Sequence, residues 1–536
     1  MVLIKEHIQS SRRIEPGSLF NSLVRWAALQ PEATFIMEAE TGREFNYAQT
    51  LAAVHTFRQV LGETPRHLAL ALPGSILNAV IWLSALSGGH HLIPVSPDAT
   101  EKEKLALVQR HRPDVLIVEH EEDARGFASP QATVLTRQAC ETLCEMLGEQ
   151  AQGDREPGDH NDVQHQGDHK GRPLEPREGR VYLTTSGSTG TPKSVVLSER
   201  QLAWTARQVC ISHNLSPQDR GLTVLPFFHV NAPVVSLCAT LLAGSSVVIA
   251  RRFSRRCFWS WVEQYQITWA SIVPTIVALL LETEKPAFLP SSLRFMRTGS
   301  APLPPTNLRA FEERFGIPLI ETYGLSEAAS QVVANPLPPD QHKPGSAGLP
   351  TGVDLRICYP RTAENERELH DVPPGEIGEI CIAGPGVIQG YQNNEGQDAF
   401  QDGWFRTGDL GYLDEDGYLF IKGRQREVIN RGGENIAPRE IEETLQSYPL
   451  VREAAAVGRP DPIYGEQVVA YLTVRGSWDT EQAEQLHHYL TQHLSSPKVP
   501  VDLIVLPELP RNATGKIDRR LLRAREQAHF ATPDGQ

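Results

Sequence analysis

Cysteine is sparse, with seven in 536 residues and none spaced CxxC or CxxH. That excludes a disulfide framework and a zinc ribbon, and an odd, scattered set reads as free thiols in a reducing compartment. Long apolar runs are lacking too. No stretch reaches the roughly 18 uninterrupted apolar residues of a membrane span. MVLIKEHIQSSRR at the start has neither the apolar run nor the cleavage site of a secretory signal. ATPDGQ at the end carries no peroxisomal or retention tripeptide, so a cytoplasmic location is expected. Excess positive charge is absent: the formal net charge is −14, which argues against a nucleic-acid surface. A phosphate ligand stays open, because a few local donors bind one even in an acidic protein. The Walker loop GxxxxGK[ST] is missing, which disfavours a P-loop NTPase.

What is present is ordinary globular composition, 40% hydrophobic and 22% charged, in a chain too long for one core. Short apolar runs at 67–73, 115–120, 221–226 and 245–250 alternate with amphipathic stretches and predict buried strands in α/β layers. Residues 149–178 are rich in Gly, Asp, His, Gln and Pro and read as a mobile loop or linker. The spacing of His160, His165 and His169 within it favours no metal-binding face. Residues 404–430 read as short strands joined by Asp/Gly turns, 437–451 as a helix and 453–461 as a strand. The expected architecture is α/β: a large unit, 1–425, and a small α+β unit, 426–536.

One segment carries chemistry on its face. Thr184-Thr185-Ser186-Gly187-Ser188-Thr189-Gly190-Thr191-Pro192-Lys193 follows a strand-like VYL. Flexible glycines let backbone N–H groups converge on a polyphosphate, hydroxyls add donors, and Lys193 supplies a point charge.

This segment resembles the phosphate loop of the adenylate-forming (ANL) superfamily, the AMP-dependent acyl-CoA synthetases and ligases. Further motifs follow in that family's order: Phe228-His229-Val230, Gly299-Ser300-Ala301-Pro302-Leu303, Glu321-Thr322-Tyr323-Gly324-Leu325-Ser326-Glu327 and Trp404-Phe405-Arg406-Thr407-Gly408-Asp409. Gly423-Arg424, Gly432-Gly433-Glu434-Asn435-Ile436 and Asn512-Ala513-Thr514-Gly515-Lys516 complete the set. The segment 326–346 looks most like the small-acid, oxalyl-CoA synthetase-like branch.

The resemblance implies a large N-terminal domain of layered α/β subdomains plus a β-barrel-like part, and a small mobile C-terminal domain. It implies ATP- and Mg²⁺-dependent activation of a carboxylic acid to acyl-AMP, then transfer to a thiol, CoA above all. Thr185 to Gly190, Lys193, Gly299, Ser300, Ala301, Glu321, Thr322, Tyr323, Gly324 and Ser326 would bind ATP. Tyr323 would stack on adenine and Ser326 reach the α-phosphate. Asp409 would accept the ribose hydroxyls, Arg424 support the ribose and phosphate side, and Glu327 hold Mg²⁺. Lys516 would bridge the acyl carboxylate and α-phosphate as the catalytic cation, with Glu327 and His229 beside it.

His229, Asn231, Ser300, Gly324 and Ser330 would line the acyl pocket, their small or polar nature suiting a short or polar acid. His229 serves equally as a core histidine. Arg252, Gly432, Gly433 and Glu434 would lie on the CoA side, although Arg251, Arg252, Arg255 and Arg256 read equally as a solvated face. Arg426 would be the hinge, where the family generally has Asp or Lys. Two further departures are Ser194 for the usual Gly after Pro-Lys, and Ser330 where the oxalate branch places His. Partners are then a small acid and CoA or a separate carrier protein, with no nucleic acid, in a monomer or homodimer. Transfer to a carrier thiol or an amine, and an inactive nucleotide-binding homologue, are the alternatives.

Overall fold

The computed structural model describes residues 15, 17–125, 127, 132–143, 177–185, 193–286, 289–360, 369–394, 396–511 and 516–531. Most of the expected linker 149–178, residues 186–192 of the phosphate loop and 512–515 of the last motif lie outside the described residues.

Four sheets organise the described residues. The first runs in the order Thr133–Thr136, Val115–Val118, His67–Ala71, His91–Pro94, Arg180–Thr185, Lys193–Ser198. Its first five strands pair in parallel, and Val115–Val118 is buried along its whole length, as a strand covered on both faces must be. The last two strands form an antiparallel hairpin in which Thr185 faces Lys193, so both ends of the phosphate-loop motif are fixed across one ladder.

The second sheet has nine strands, with Leu319–Leu325, Phe295–Thr298, Trp269–Ile272, Arg220–Thr223, Ser246–Ile249 and Thr34–Glu38 paired in parallel through its middle. The wholly buried helix Ile76–Ser87 has no polar face, and its start is held by the Ser75 hydroxyl accepting from Asn78 N–H. Its Leu77, Val80, Ile81 and Trp82 belong to the largest core, which runs from Leu19 to Ile388.

A third, five-stranded antiparallel sheet supplies the part expected to be barrel-like, built on Asp354–Cys358, Gly378–Ala383, Phe400–Gln401, Trp404–Leu413 and Leu419–Arg424. Inside it Arg406 and Glu379 form a buried pair, 2.8 and 2.5 Å from the Nε and Nη2 of Arg406 to Glu379 Oε2. Arg406 also donates to the Tyr359 carbonyl at 2.9 Å, and Gly408 N–H donates to Glu379 Oε1 at 3.1 Å. The pair thus fixes the turn that carries Asp409.

From Ile429 onward the chain builds its own sheet and its own core of Ile429, Ile436, Ile441, Leu445, Leu472 and Leu486. The expected helix spans Pro438–Gln446, started by proline at its first turn and buried through Ile441 and Leu445. The expected strand spans Val451–Asp461. Arg523, on the helix Arg519–Ala531, donates to the carbonyls of Arg426 and Glu427 at 2.7 and 2.8 Å. Arg439 reaches the other way, donating from Nη1 to the Ile421 carbonyl at 2.6 Å.

Candidate active site

In an open parallel sheet, ligands bind beyond the carboxyl ends of the strands. The second sheet places its motifs there. Phe228-His229-Val230 follows Arg220–Thr223, Gly299–Leu303 follows Phe295–Thr298, and Tyr323-Gly324 closes Leu319–Leu325. Backbone strain collects at the same edge, with positive φ at Ser300 (70°), Ala329 (56°) and Ser330 (111°).

The strand register of the third sheet sets Asp409 opposite Arg424. Their ion pair is 3.0 Å from Arg424 Nε to Asp409 Oδ1, and the Tyr323 hydroxyl donates to Asp409 Oδ2 at 2.6 Å. Tyr323, Asp409 and Arg424 therefore form one network, and each Asp409 oxygen keeps a second acceptor site. The Asp409 charge raises the pKa of Arg424, while burial and then Asp409 push the Tyr323 phenol up.

Lys516 faces this network. One flank of the residue is exposed, yet the surrounding protein desolvates its ammonium. That desolvation is the largest influence lowering its pKa, with Arg424 next, against Asp409, Glu427 and Glu327. His229 lies within reach of the same charge. Burial, then Lys516, bring His229 down to about 4, and its Nε2 has no partner among the described residues. A neutral imidazole with an unused ring nitrogen suits a group that contacts substrate.

Glu327 sits in a short turn of helix, Ser326–Ala328, and accepts from the Tyr391 hydroxyl at 2.9 Å. Burial raises its pKa. Tyr391 also presents its ring face to Lys193, with Nζ 4.9 Å from the centroid, linking the phosphate-loop lysine to the carboxylate. Sequence reasoning missed Tyr391; the tyrosine follows a lone glycine in a loop, and nothing in that pattern marks it. Ser194, at the place of the usual Gly, has its hydroxyl buried and without a partner among the described residues.

The small pocket residues are small for a reason. A Cβ on Gly324 would stand 1.8 Å from the Ser330 carbonyl oxygen, and one on Gly299 would stand 2.7 Å from Thr322 Oγ1. Asn231 Nδ2 donates to Ser300 Oγ at 3.3 Å, bringing two of the expected pocket residues together. Glu321 is buried behind them, accepting from Gly345 N–H at 2.9 Å, and burial raises its carboxyl to about 7. Thr322 Oγ1 donates to the Thr298 carbonyl, so Glu321 and Thr322 support the edge from behind.

The remaining expected residues stand apart. Gly432 and Gly433, both at positive φ, make the turn between Ile429–Arg431 and Glu434–Ile436 in the small unit. Arg251 pairs with Glu119 and Arg255 with Glu282, whereas Arg252 is exposed with no ion pair among the described residues. Arg426 occupies the short turn Gln425–Glu427 that joins the third sheet to the fourth. No cluster of three His, Cys, Asp or Glu side chains forms a metal cage among the described residues. None of their helices is long and apolar enough to cross a membrane.

Known proteins resemble the chain in sequence and in fold. The chain is 44% identical over 350 residues to a sulfoacetate–CoA ligase of Cupriavidus necator, spanning 65% of this chain and 67% of that protein. It is 40% identical over 361 residues to an oxalate–CoA ligase of Arabidopsis thaliana, spanning 65% and 67%. Among solved structures, ATP-bound MatB from Rhodopseudomonas palustris superposes with a TM-score of 0.81 at 25% identity, covering 95% of this chain and 99% of that one. The o-succinylbenzoate coenzyme A synthetase of Bacillus subtilis with ATP and magnesium gives 0.76 at 27%, covering 95% and 99%. Residues 23–392 match the AMP-binding enzyme family and residues 440–516 its C-terminal domain. The chain belongs to the AMP-binding enzyme family of the adenylate-forming superfamily.

Proposed function

We propose that the protein is an AMP-forming acid–thiol ligase that joins a short carboxylic acid to CoA. The observation that carries this reading is the convergence of Lys516, His229, Glu327 and the Tyr323–Asp409–Arg424 network on one strand edge. In the first step a carboxylate oxygen of the acid attacks the α-phosphorus of ATP, and the bond to pyrophosphate breaks. Attack of one anion on another needs a cation between them, and Lys516 supplies it. Tyr323, Asp409 and Arg424 hold the nucleoside, and Lys193 attends the outgoing phosphates.

Glu327 would hold Mg²⁺. One of its oxygens accepts from Tyr391, and burial raises its pKa, against the lowering effect of Arg424. A hard dication bound by one carboxylate and phosphate oxygens fits that donor set, and when bound it neutralises phosphate charge.

In the second step the CoA thiolate attacks the acyl carbon and AMP leaves with its bonding pair. Lys516 must first withdraw, which requires the small unit, from 426 onward, to turn about Arg426. The loop Gly432-Gly433-Glu434 would then approach the acyl group, with Arg252 on the CoA side. The small or polar pocket and the ligases of sulfoacetate and oxalate among the relatives support a short, polar acid.

The test is acid-dependent exchange of labelled pyrophosphate into ATP over a panel of acids, repeated with CoA while AMP release is followed. Exchange that CoA converts into net AMP release supports the ligase. No exchange with any acid refutes activation, and exchange without a CoA response refutes the acceptor.

A further inference from the structure

Arg297 lies on the strand Phe295–Thr298, two residues before Gly299, and is 2% exposed. One nitrogen, Nη2, donates to Thr322 Oγ1 at 2.6 Å; Nε and Nη1 have no partner among the described residues. Arg406, similarly buried, carries Glu379 as its counter-ion. Arg297 has none. Burial is the whole cause of its pKa falling to about 9, and it remains a cation at neutral pH. A buried charge without a partner is costly, and native proteins rarely keep one without use.

Its surroundings share the deficit. Gln331 Oε1, Thr298 Oγ1, Asn231 Oδ1 and His213 Nε2 are likewise buried without partners among the described residues. Gln331 pairs in register with Gly324 and follows Ser330, and Asn231 is bonded to Ser300, so these two orphans belong to the strands and loop of the expected acyl pocket. The cations suited to polyphosphate, Lys193, Lys516 and Arg424, gather instead around Glu327 and Asp409. His213 sits against Phe295, and burial, then Arg297, keep it neutral. It adds no second charge.

We propose that Arg297 is a specificity residue that reads a second anionic group, a carboxylate or sulfonate, at the far end of the acid substrate. The proposal rests on the ligase reading above and narrows its substrate to dianionic acids. The reacting carboxyl meets Lys516 and His229, and the distal anion supplies the counter-ion that Arg297 lacks.

The experiment compares kcat/KM for pyrophosphate exchange between dianionic acids of increasing length and monoanionic acids of matched size. The series runs from oxalate to glutarate, with sulfoacetate and 3-sulfopropionate, against acetate to valerate. Wild type is expected to prefer one or more dianions. Arg297→Met should lower that preference by about 100-fold, the usual size of a lost buried charge contact, and Arg297→Lys should recover part of it. Equal loss on both acid classes, or a wild type that prefers monoanions throughout, overturns the proposal.

A thermal melt without nucleotide gives an independent readout. The preferred dianion should raise the wild-type midpoint but not that of Arg297→Met, and without acid the variant should melt no lower than wild type, since an unpaired buried charge has gone. A variant that melts lower yet shifts normally with acid marks Arg297 as structural. Absence of exchange with every acid counts against the ligase reading, and the melt still decides the role of Arg297.

Discussion

Replacing Glu379 by Met should damage the protein in two separable ways. Glu379 and Arg406 are 3% and 5% exposed, and Glu379 accepts both from the Arg406 fork and from Gly408 N–H. Glu379→Met strands the guanidinium in the third sheet. Removing one member of a buried ion pair costs about 3–5 kcal/mol, against a typical domain stability of about 5–15 kcal/mol. Arg406→Met added to it removes the orphaned charge and should return most of that loss, because an apolar pair of similar volume is tolerated. Function should not follow. The Gly408 N–H to Glu379 bond is gone in both variants, and a hydrogen bond to a charged group is worth about 1.5–3 kcal/mol. The turn that aims Asp409 loosens, so the KM for ATP should rise about tenfold or more in the double variant even where stability has returned. Urea unfolding of the three proteins and their ATP saturation curves decide this. A single variant within about 1 kcal/mol of wild type, or a double variant with normal ATP KM, would refute the reasoning.

Lys516→Ala should cut adenylate formation by about 10²–10³-fold, the size expected for a group that stabilises transition-state charge, while thiolysis of supplied acyl-AMP survives. Equal loss in both half-reactions contradicts the role given to Lys516. Gly324→Ala should abolish exchange, since its Cβ would overlap the Ser330 carbonyl; normal exchange would show that the strand can yield there. Stability should climb between pH 4 and 6.5. His90 and His111 are buried and His229 half-buried, their pKa values lowered from 6.5 to about 4. The unfolded chain takes up protons first, so stability present above 6.5 is lost as pH falls through 4, by about 1.4 kcal/mol per unit for each fully buried ring. Glu321 opposes them, with stability present below 4.5 and lost as pH rises through about 7, and Glu199 and Glu327 are raised in the same sense; His55, His91 and His213 are lowered too, so six rings stand against three carboxyls. A urea midpoint that stays flat from pH 4 to 6.5 contradicts this.

Much of the site was legible because its residues are short-range words at the ends of strands. Tyr323, Gly324 and Glu327 travel together, and fixing one fixes the others. Asp409 and Arg424 were readable as separate motifs, and the register that sets them face to face turns two words into one ion pair. What escaped has long-range causes. Arg406 and Glu379 are 27 positions apart, and nothing in either segment announces the pairing. Arg297 stands beside a motif that was read, yet its meaning lies in missing partners, which only packed neighbours reveal.

The two arginines that flank the joint at Arg426 differ in what motion would ask of them. Arg523 grips the carbonyls of Arg426 and Glu427 from within the small unit, so that side of the joint is clamped like an axle set in its wheel. Torsion is then concentrated upstream, in the few bonds around Arg424 and Gln425. Arg439 holds the Ile421 carbonyl across the gap and behaves as a latch that any turn must release. On the proposed turn about Arg426, the Arg439 bond would break and the Arg523 bonds would persist. Arg439→Met should hasten the swing, whereas Arg523→Met should blur where it happens.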